Sequence, residues 1–179
     1  MKKKHRKFLY SASLLIGLVS IVWEIKIFRN TFINVYLLLG IIVLVAGIAF
    51  FLDHKNYGKA YKYEGWRLYI YAGLQYVMSY GFMACSLFMI LNYSFAADTV
   101  SFERHQIIER SSISGGKYNR SQRQPTFDIM LNGKEKQLVF PHAFYPNREQ
   151  YTHVEMEVRT GLFGFDILQN KKLIIQPDN

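Results

Sequence analysis

Uncharged apolar runs fill the first half of this 179-residue chain, and alternating polar and apolar positions fill most of the second half. The strongest run, residues 32–52, has 21 residues, no charge and one carboxamide, Asn34. As a helix it is about 31 Å long, which matches a bilayer hydrocarbon core of about 30 Å. Because a backbone in lipid must satisfy its own hydrogen bonds, the run predicts a transmembrane helix.

Two further runs predict a second and a third span. Residues 68–97 carry no charge, and tyrosines in their first half are typical of a membrane interface, which favours a span at about 73–95. The first run follows a basic N-terminus, so a cleaved signal peptide is an alternative interpretation. No small-x-small cleavage pattern follows the run, and a retained helix at about 8–25 is long enough to span if Glu24 lies at the interface.

Charge separates the same two parts of the chain and orients the predicted spans. Residues 1–97 hold 11 Lys and Arg against 3 Asp and Glu, whereas residues 98–179 hold 11 against 10. Residues 1–97 thus supply +8 of the net charge of +9, and this charge flanks apolar runs instead of forming a soluble basic face, so no nucleic-acid partner is expected. Basic residues favour a cytoplasmic N-terminus, which places residues 98–179 on the outer side, periplasmic or extracellular.

The three runs contain no ionisable residue, which is the usual marker of an ion or proton pathway. A transporter built from this chain alone is therefore not expected. Small residues recur at helical spacing: Ser13 with Gly17, Gly40 with Gly47, and Gly81 with Cys85. Such spacing permits close helix approach, either within the chain or in a homo-oligomer formed through these faces.

In residues 98–179 the hydrophobic period changes to two, which predicts antiparallel strands. Residues 126–131 alternate and run into Asn132-Gly133, the dipeptide that favours a type I′ hairpin. A further strand is expected at residues 154–158, and a last hairpin around residues 169–172. We expect five or six strands in a small all-β antiparallel barrel or sandwich, which follows a region of three transmembrane helices in residues 1–97.

Two loops of the predicted β-domain are candidate contact sites. The glycine-led loop 114–124 carries Lys117, Arg120 and Arg123, which suit anionic lipid headgroups or an acidic partner, with a solvated connection as the alternative. The aromatic stretch 140–146 includes Phe144 and Tyr145, residue types that are enriched at protein interfaces. These rings suit a partner contact or the covering of one end of a barrel.

No catalytic, metal or cofactor pattern is present in the sequence, so no catalytic residue, metal or cofactor is expected. We interpret the chain as an integral membrane protein whose β-domain is a non-enzymatic protein-binding or scaffolding module. Its expected partners are the lipid bilayer and a membrane or envelope protein. A small accessory subunit of a transporter or channel complex is the alternative. A third hypothesis is an enzyme acting on lipid or peptidoglycan precursors, with a site among these residues: His105, His142, Glu155 and Glu157.

Overall fold

The computed structural model describes residues 3–115 and 122–175, and the chain divides into two compact units. They are a helical unit, Met1–Phe28 with Ile33–Phe95, and a sheet unit, Arg29–Phe32 with Ala96–Asn179. We call residues 29–32 the connector, because they join the first two helices. The connector belongs to the sheet unit, which nothing in the sequence pattern indicates.

The helical unit contains three stretches that are long and apolar enough to cross a membrane, within the residues that the structure describes. Its elements are α1 (Lys3–Arg29), α2 (Val35–Tyr61), α3 (Gly65–Tyr76), a π-helical segment (Val77–Gly81) and α4 (Phe82–Ser94). The last three elements form the third stretch. Helix α2 begins after Asn34, whose side chain accepts a hydrogen bond from the N–H of Tyr36 at 2.9 Å.

The helices extend further than the uncharged runs that predict them. Helix α1 covers 27 residues, and α2 continues through Asp53 to Tyr61. Helix α2 also starts three residues after the expected residue 32, because Phe32 packs in the sheet unit. The longer helix α2 takes in Asp53, one residue beyond the uncharged run, and Glu24 of the expected first span is buried in the helical unit instead of lying at an interface.

The five strands are antiparallel and form one sheet in the order β3-β2-β1-β4-β5. They are β1 (Ser101–Ile113), β2 (Gln124–Leu131), β3 (Lys134–Val139), β4 (Tyr151–Thr160) and β5 (Asp166–Ile175). The long strand β1 pairs with β4 through residues 101–106 and with β2 through residues 107–113. Buried side chains of both halves form one core, which includes Phe127, Leu138, Val154 and Leu168.

The expected barrel or sandwich is not confirmed, because the sheet is open and its edge strands are β3 and β5. The outer edge of β5 is occupied by the connector instead of a closing strand. Thr31 forms an isolated bridge with Ile167, and the N–H of Phe32 donates to the carbonyl oxygen of Asp166 at 2.7 Å. The connector thus occupies part of the β5 edge, where a closing strand would bind in a barrel.

The predicted turn at Asn132-Gly133 is confirmed: both residues have positive φ, 48° and 74°, and they join the paired strands β2 and β3. The expected hairpin around residues 169–172 is wrong. These residues lie inside the continuous strand β5, where Asn170 has φ 47° and the register with β4 shifts. An Asn in left-handed conformation inside a strand forms a bulge here, although its sequence surroundings resemble a turn.

Candidate functional site

Two loops that are distant in sequence meet on the sheet unit. Arg123 precedes β2, and the loop after β3 carries His142, Tyr145 and Arg148. We call these four residues the aromatic–arginine surface. The N–H of Phe140 donates to the carbonyl oxygen of Pro125 at 3.0 Å, which holds the start of the second loop beside β2.

The imidazole of His142 connects the two loops. Its Nδ1 lies 2.7 Å from the carbonyl oxygen of Arg123, and because a carbonyl only accepts, Nδ1 carries the proton. The same ring stacks on Tyr145 with 6.0 Å between centroids and 18° between planes. His142 therefore fixes the position of Tyr145 relative to Arg123.

Two guanidinium groups act on the phenol of Tyr145. Arg148 lies over its ring, 4.4 Å from the centroid. Interaction with the Arg123 guanidinium, followed by the positive charge of Arg148, lowers the pKa of Tyr145. Arg148 is itself held by Glu149 at 2.9 Å. The surface therefore offers cationic groups around one half-buried aromatic ring.

Phe144 has a different place from its neighbour Tyr145. Its ring packs edge-on against Phe140 and Tyr151, with centroid distances of 6.0 and 6.1 Å, and contacts the hydrophobic core. Phe144 thus anchors the loop and leaves Tyr145 at the surface. Of the other residues predicted to contact a partner, Lys117 and Arg120 lie outside the described residues.

The sequence pattern does not predict the burial of one carboxylate in the helical unit. Glu24 of α1 is 9% exposed, and its two oxygens accept hydrogen bonds from Cys85 Sγ at 2.8 Å and Ser86 Oγ at 3.1 Å. We expected Glu24 at a membrane interface, because the uncharged run ends there. The signal that could have located it is the helical phase, since Tyr10, Gly17 and Glu24 recur every seven residues on one buried face of α1.

A second polar cluster in the helical unit centres on Asp53. One carboxylate oxygen accepts hydrogen bonds from the phenols of Tyr10 (2.6 Å) and Tyr76 (3.0 Å). The other oxygen accepts from Asn56 Nδ2 at 2.8 Å, and Asn56 in turn accepts from Arg6 at 2.9 Å. The cluster joins α1, α2 and α3 through satisfied polar groups, which suits helix association in an apolar environment.

The polar residues considered for a hidden enzyme site have separate partners. Arg104 contacts Glu155 at 3.9 Å, and Glu157 accepts a hydrogen bond from Asn170 at 2.6 Å. His105 lies 2.8 Å from Glu103. Among residues 3–115 and 122–175 there is no group of three or more His, Cys, Asp or Glu side chains that could hold a metal ion.

The sequence matches no protein-family model, and neither a curated protein nor a solved structure is similar to it. What this chain does is therefore inferred from its own contacts, burial and charges. The aromatic–arginine surface is the candidate with the clearest chemistry. It combines two guanidinium groups with an aromatic ring, and the loops that carry them are held by His142 and Phe144.

Proposed function

We propose that this chain is an integral membrane protein whose sheet unit binds an acidic segment of a membrane or envelope protein. The contact would be made by the aromatic–arginine surface, with no chemical reaction. One observation carries the proposal: Arg123 and Tyr145, which lie in separate loops, are held together by His142. A surface positioned in this way loses little entropy when a partner binds.

The outer surface of the helices supports insertion into a bilayer. Large apolar side chains of α2 face outward, and Phe51 and Leu52 are 79% and 78% exposed. In water such a surface would be a strong aggregation site, whereas in lipid it costs nothing to expose. Helix lengths of 27 to 30 residues are sufficient for three spans.

Chain connectivity supports the proposed topology. Three spans place the end of α1 and the end of α4 on the same side of the membrane. The connector follows α1 and residue 96 follows α4 closely, and both chain segments belong to the sheet unit. With the basic N-terminus in the cytoplasm, the sheet unit would lie on the outer side, periplasmic or extracellular.

The chemistry of the surface favours carboxylates in the partner. A guanidinium presents several N–H donors in a planar fork that matches a carboxylate, and Arg and Tyr are frequent among residues that dominate binding energy. Phe144 supplies the rigidity, because its packing on the core prevents the loop from moving away. Binding of the partner would therefore depend on the arginine and tyrosine side chains of the aromatic–arginine surface, and it would weaken as the salt concentration rises.

Site-specific photocrosslinking in intact membranes tests this proposal. A photoreactive residue replaces the exposed Asn147, which lies beside Tyr145 without belonging to the surface. We expect a crosslinked protein that disappears in the double variant Tyr145→Ala with Arg148→Ala. The control, Lys134→Gln with Lys172→Gln, removes two exposed charges elsewhere on the unit and should keep the crosslink. Equal crosslinking in both variants would refute the proposal, as would the absence of any crosslinked protein.

A second candidate function, as accessory subunit of a transporter or channel, is favoured by two glycines of α2. Within the described part of the chain, a Cβ atom added at Gly40 or Gly47 would meet nothing within 4 Å. Both glycines therefore offer a surface that another helix could approach. Changing both to Leu should abolish copurification with such a complex and leave the crosslink at residue 147 unchanged.

A further inference from the structure

Two lysines from the opposite edges of the open sheet meet at the connector. Lys136 of β3 donates to the carbonyl oxygen of Thr31 at 2.8 Å, and Lys171 of β5 donates to Asn30 Oδ1 at 2.7 Å. Both side chains are partly buried within the sheet unit. An open sheet could have left these ammonium groups in water, but here both are directed at the same short segment.

The electrostatic environment of the pair is unfavourable for two cations. Burial, followed by the positive charge of Lys171, lowers the pKa of Lys136 to about 8. Burial also lowers the pKa of Lys171. An anion placed beside both groups would offset the desolvation and the mutual repulsion, which gives the pair a reason to bind one.

The position of the pair along the chain indicates which class of anion could reach the two ammonium groups. Asn30 directly follows the last residue of α1, and Thr31 lies four residues before the first residue of α2. If α1 and α2 span a bilayer, these residues lie at the depth of the phospholipid headgroups. Arg29, at the end of α1, adds a third basic residue at this depth.

A neighbouring turn exposes two apolar side chains, which suits a segment at the surface of a bilayer. Leu162 and Phe163, in the turn between β4 and β5, are 52% and 43% exposed. On one side of the turn, Thr160 accepts a hydrogen bond from the N–H of Ala97 at 2.9 Å. On the other side, Asp166 accepts one from Phe32. The turn thus lies beside both chain segments that continue into the helices.

We propose that Lys136 and Lys171 form a binding site for the phosphate group of an anionic phospholipid. The ammonium groups would hold the phosphate oxygens by charge-assisted hydrogen bonds, while Leu162 and Phe163 enter the adjacent apolar layer. The site rests on the proposed membrane insertion, and it is separate from the aromatic–arginine surface. Its ligand is a lipid, whereas the ligand of that surface is a protein.

Lipid binding by the full chain tests the site. The protein is first reconstituted into phosphatidylcholine nanodiscs, and failure of this step would refute the insertion and not the site alone. Native mass spectrometry then measures retained phosphatidylglycerol against phosphatidylcholine. We expect Lys136→Gln with Lys171→Gln to weaken phosphatidylglycerol binding by about 30-fold. The matched control, Lys134→Gln with Lys172→Gln, should keep it, because both lysines are exposed.

Two further measurements identify the source of the phosphate and control for misfolding of the double variants. Inorganic phosphate that binds as tightly as phosphatidylglycerol would overturn the lipid assignment in favour of a free phosphate. In the unsubstituted chain, ¹³C-methylated lysines are followed by NMR while phosphatidylglycerol is added. We expect the two most shifted resonances to be those of Lys136 and Lys171. Equal shifts for exposed lysines, or equal losses in the two double variants, would overturn the site.

Discussion

A Cβ atom on Gly17 would overlap with the carbonyl oxygen of Met78 and would lie 2.8 Å from the Cα atom of Ser79. Helix α1 therefore contacts the backbone of the π-helical segment directly, with no space for any side chain. Gly81 makes a similar approach to Ile42 of α2, where the added atom would lie 2.9 Å from the side chain. Both glycines pack within the chain, as the sequence pattern allowed.

The first prediction concerns this contact. Gly17→Val should destabilise the helical unit by about 3 kcal/mol, because rigid backbone atoms must move to accept the side chain. Gly47→Val is the matched control, since an added Cβ at Gly47 meets nothing within 4 Å in the described part of the chain. Unfolding in a series of SDS and mild-detergent mixtures measures both variants. Equal losses would contradict the contact.

The second prediction concerns Asp53. Asp53→Leu leaves the buried phenols of Tyr10 and Tyr76 without their shared acceptor, which should cost about 3 kcal/mol. Changing both tyrosines to Phe in the Asp53→Leu background should recover part of the loss, because no unsatisfied phenol remains. The same detergent titration gives the coupling free energy. A purely additive result would show that the hydrogen bonds contribute little.

The third prediction uses Cys85, the only cysteine of the chain. Its side chain is fully buried and donates to Glu24, so N-ethylmaleimide should not label it until the protein unfolds. Glu24→Ala leaves a cavity and removes the acceptor, which should speed labelling in mild detergent several-fold. Glu24→Gln keeps both the volume and an acceptor and should label slowly. Rapid labelling of the wild-type chain would refute this packing.

The fourth prediction tests the topology with single cysteines in a Cys85→Ser background. Glu135→Cys, on β3, should react with a membrane-impermeant maleimide on intact cells. Glu64→Cys, between α2 and α3, should react only after lysis, because two of the proposed spans separate it from an N-terminus that we propose to be cytoplasmic. Both positions are exposed, so the reagent's access to them differs only through the side of the membrane on which each lies. The opposite pattern would invert the proposed orientation.

The fifth prediction is the pH dependence of lipid binding. Burial lowers the pKa of Lys136 to about 8, so its ammonium is charged below that pH and becomes neutral above it. Binding of phosphatidylglycerol should therefore be strong at pH 7 and decline as the pH rises through 8 and towards 9. Lys136→Arg, which stays charged throughout, should remove most of this decline. A decline of the same size in both proteins would assign it to another group.

The features that the sequence predicts well depend on residues that are close together. Asn132-Gly133 specifies its turn through backbone conformation alone, and a run of 21 uncharged residues specifies a helix through its length. The alternation in residues 154–158 likewise identifies the buried side of β4. In each case neighbouring positions carry all the information that is needed.

What the sequence does not predict depends on contacts between distant residues. The connector binds β5 through Asn30, whose partner Lys171 is 141 positions away. Glu24 finds its donors 61 and 62 positions away, and no local rule indicates that a charged residue at the end of an apolar run is buried. Arg123 and Tyr145 were both expected to contact partners, but only the fold shows that they form one surface.

The hydrogen bonds of the connector have a consequence for the order of synthesis. Residues 29–32 leave the ribosome more than 130 residues before β5, to which they bind. This edge of the sheet therefore stays incomplete until β5 has been made, however early the first two helices form. A ribosome that stalls before residue 166 would leave a nascent chain with its early loop exposed and ready to be captured by a chaperone or a protease.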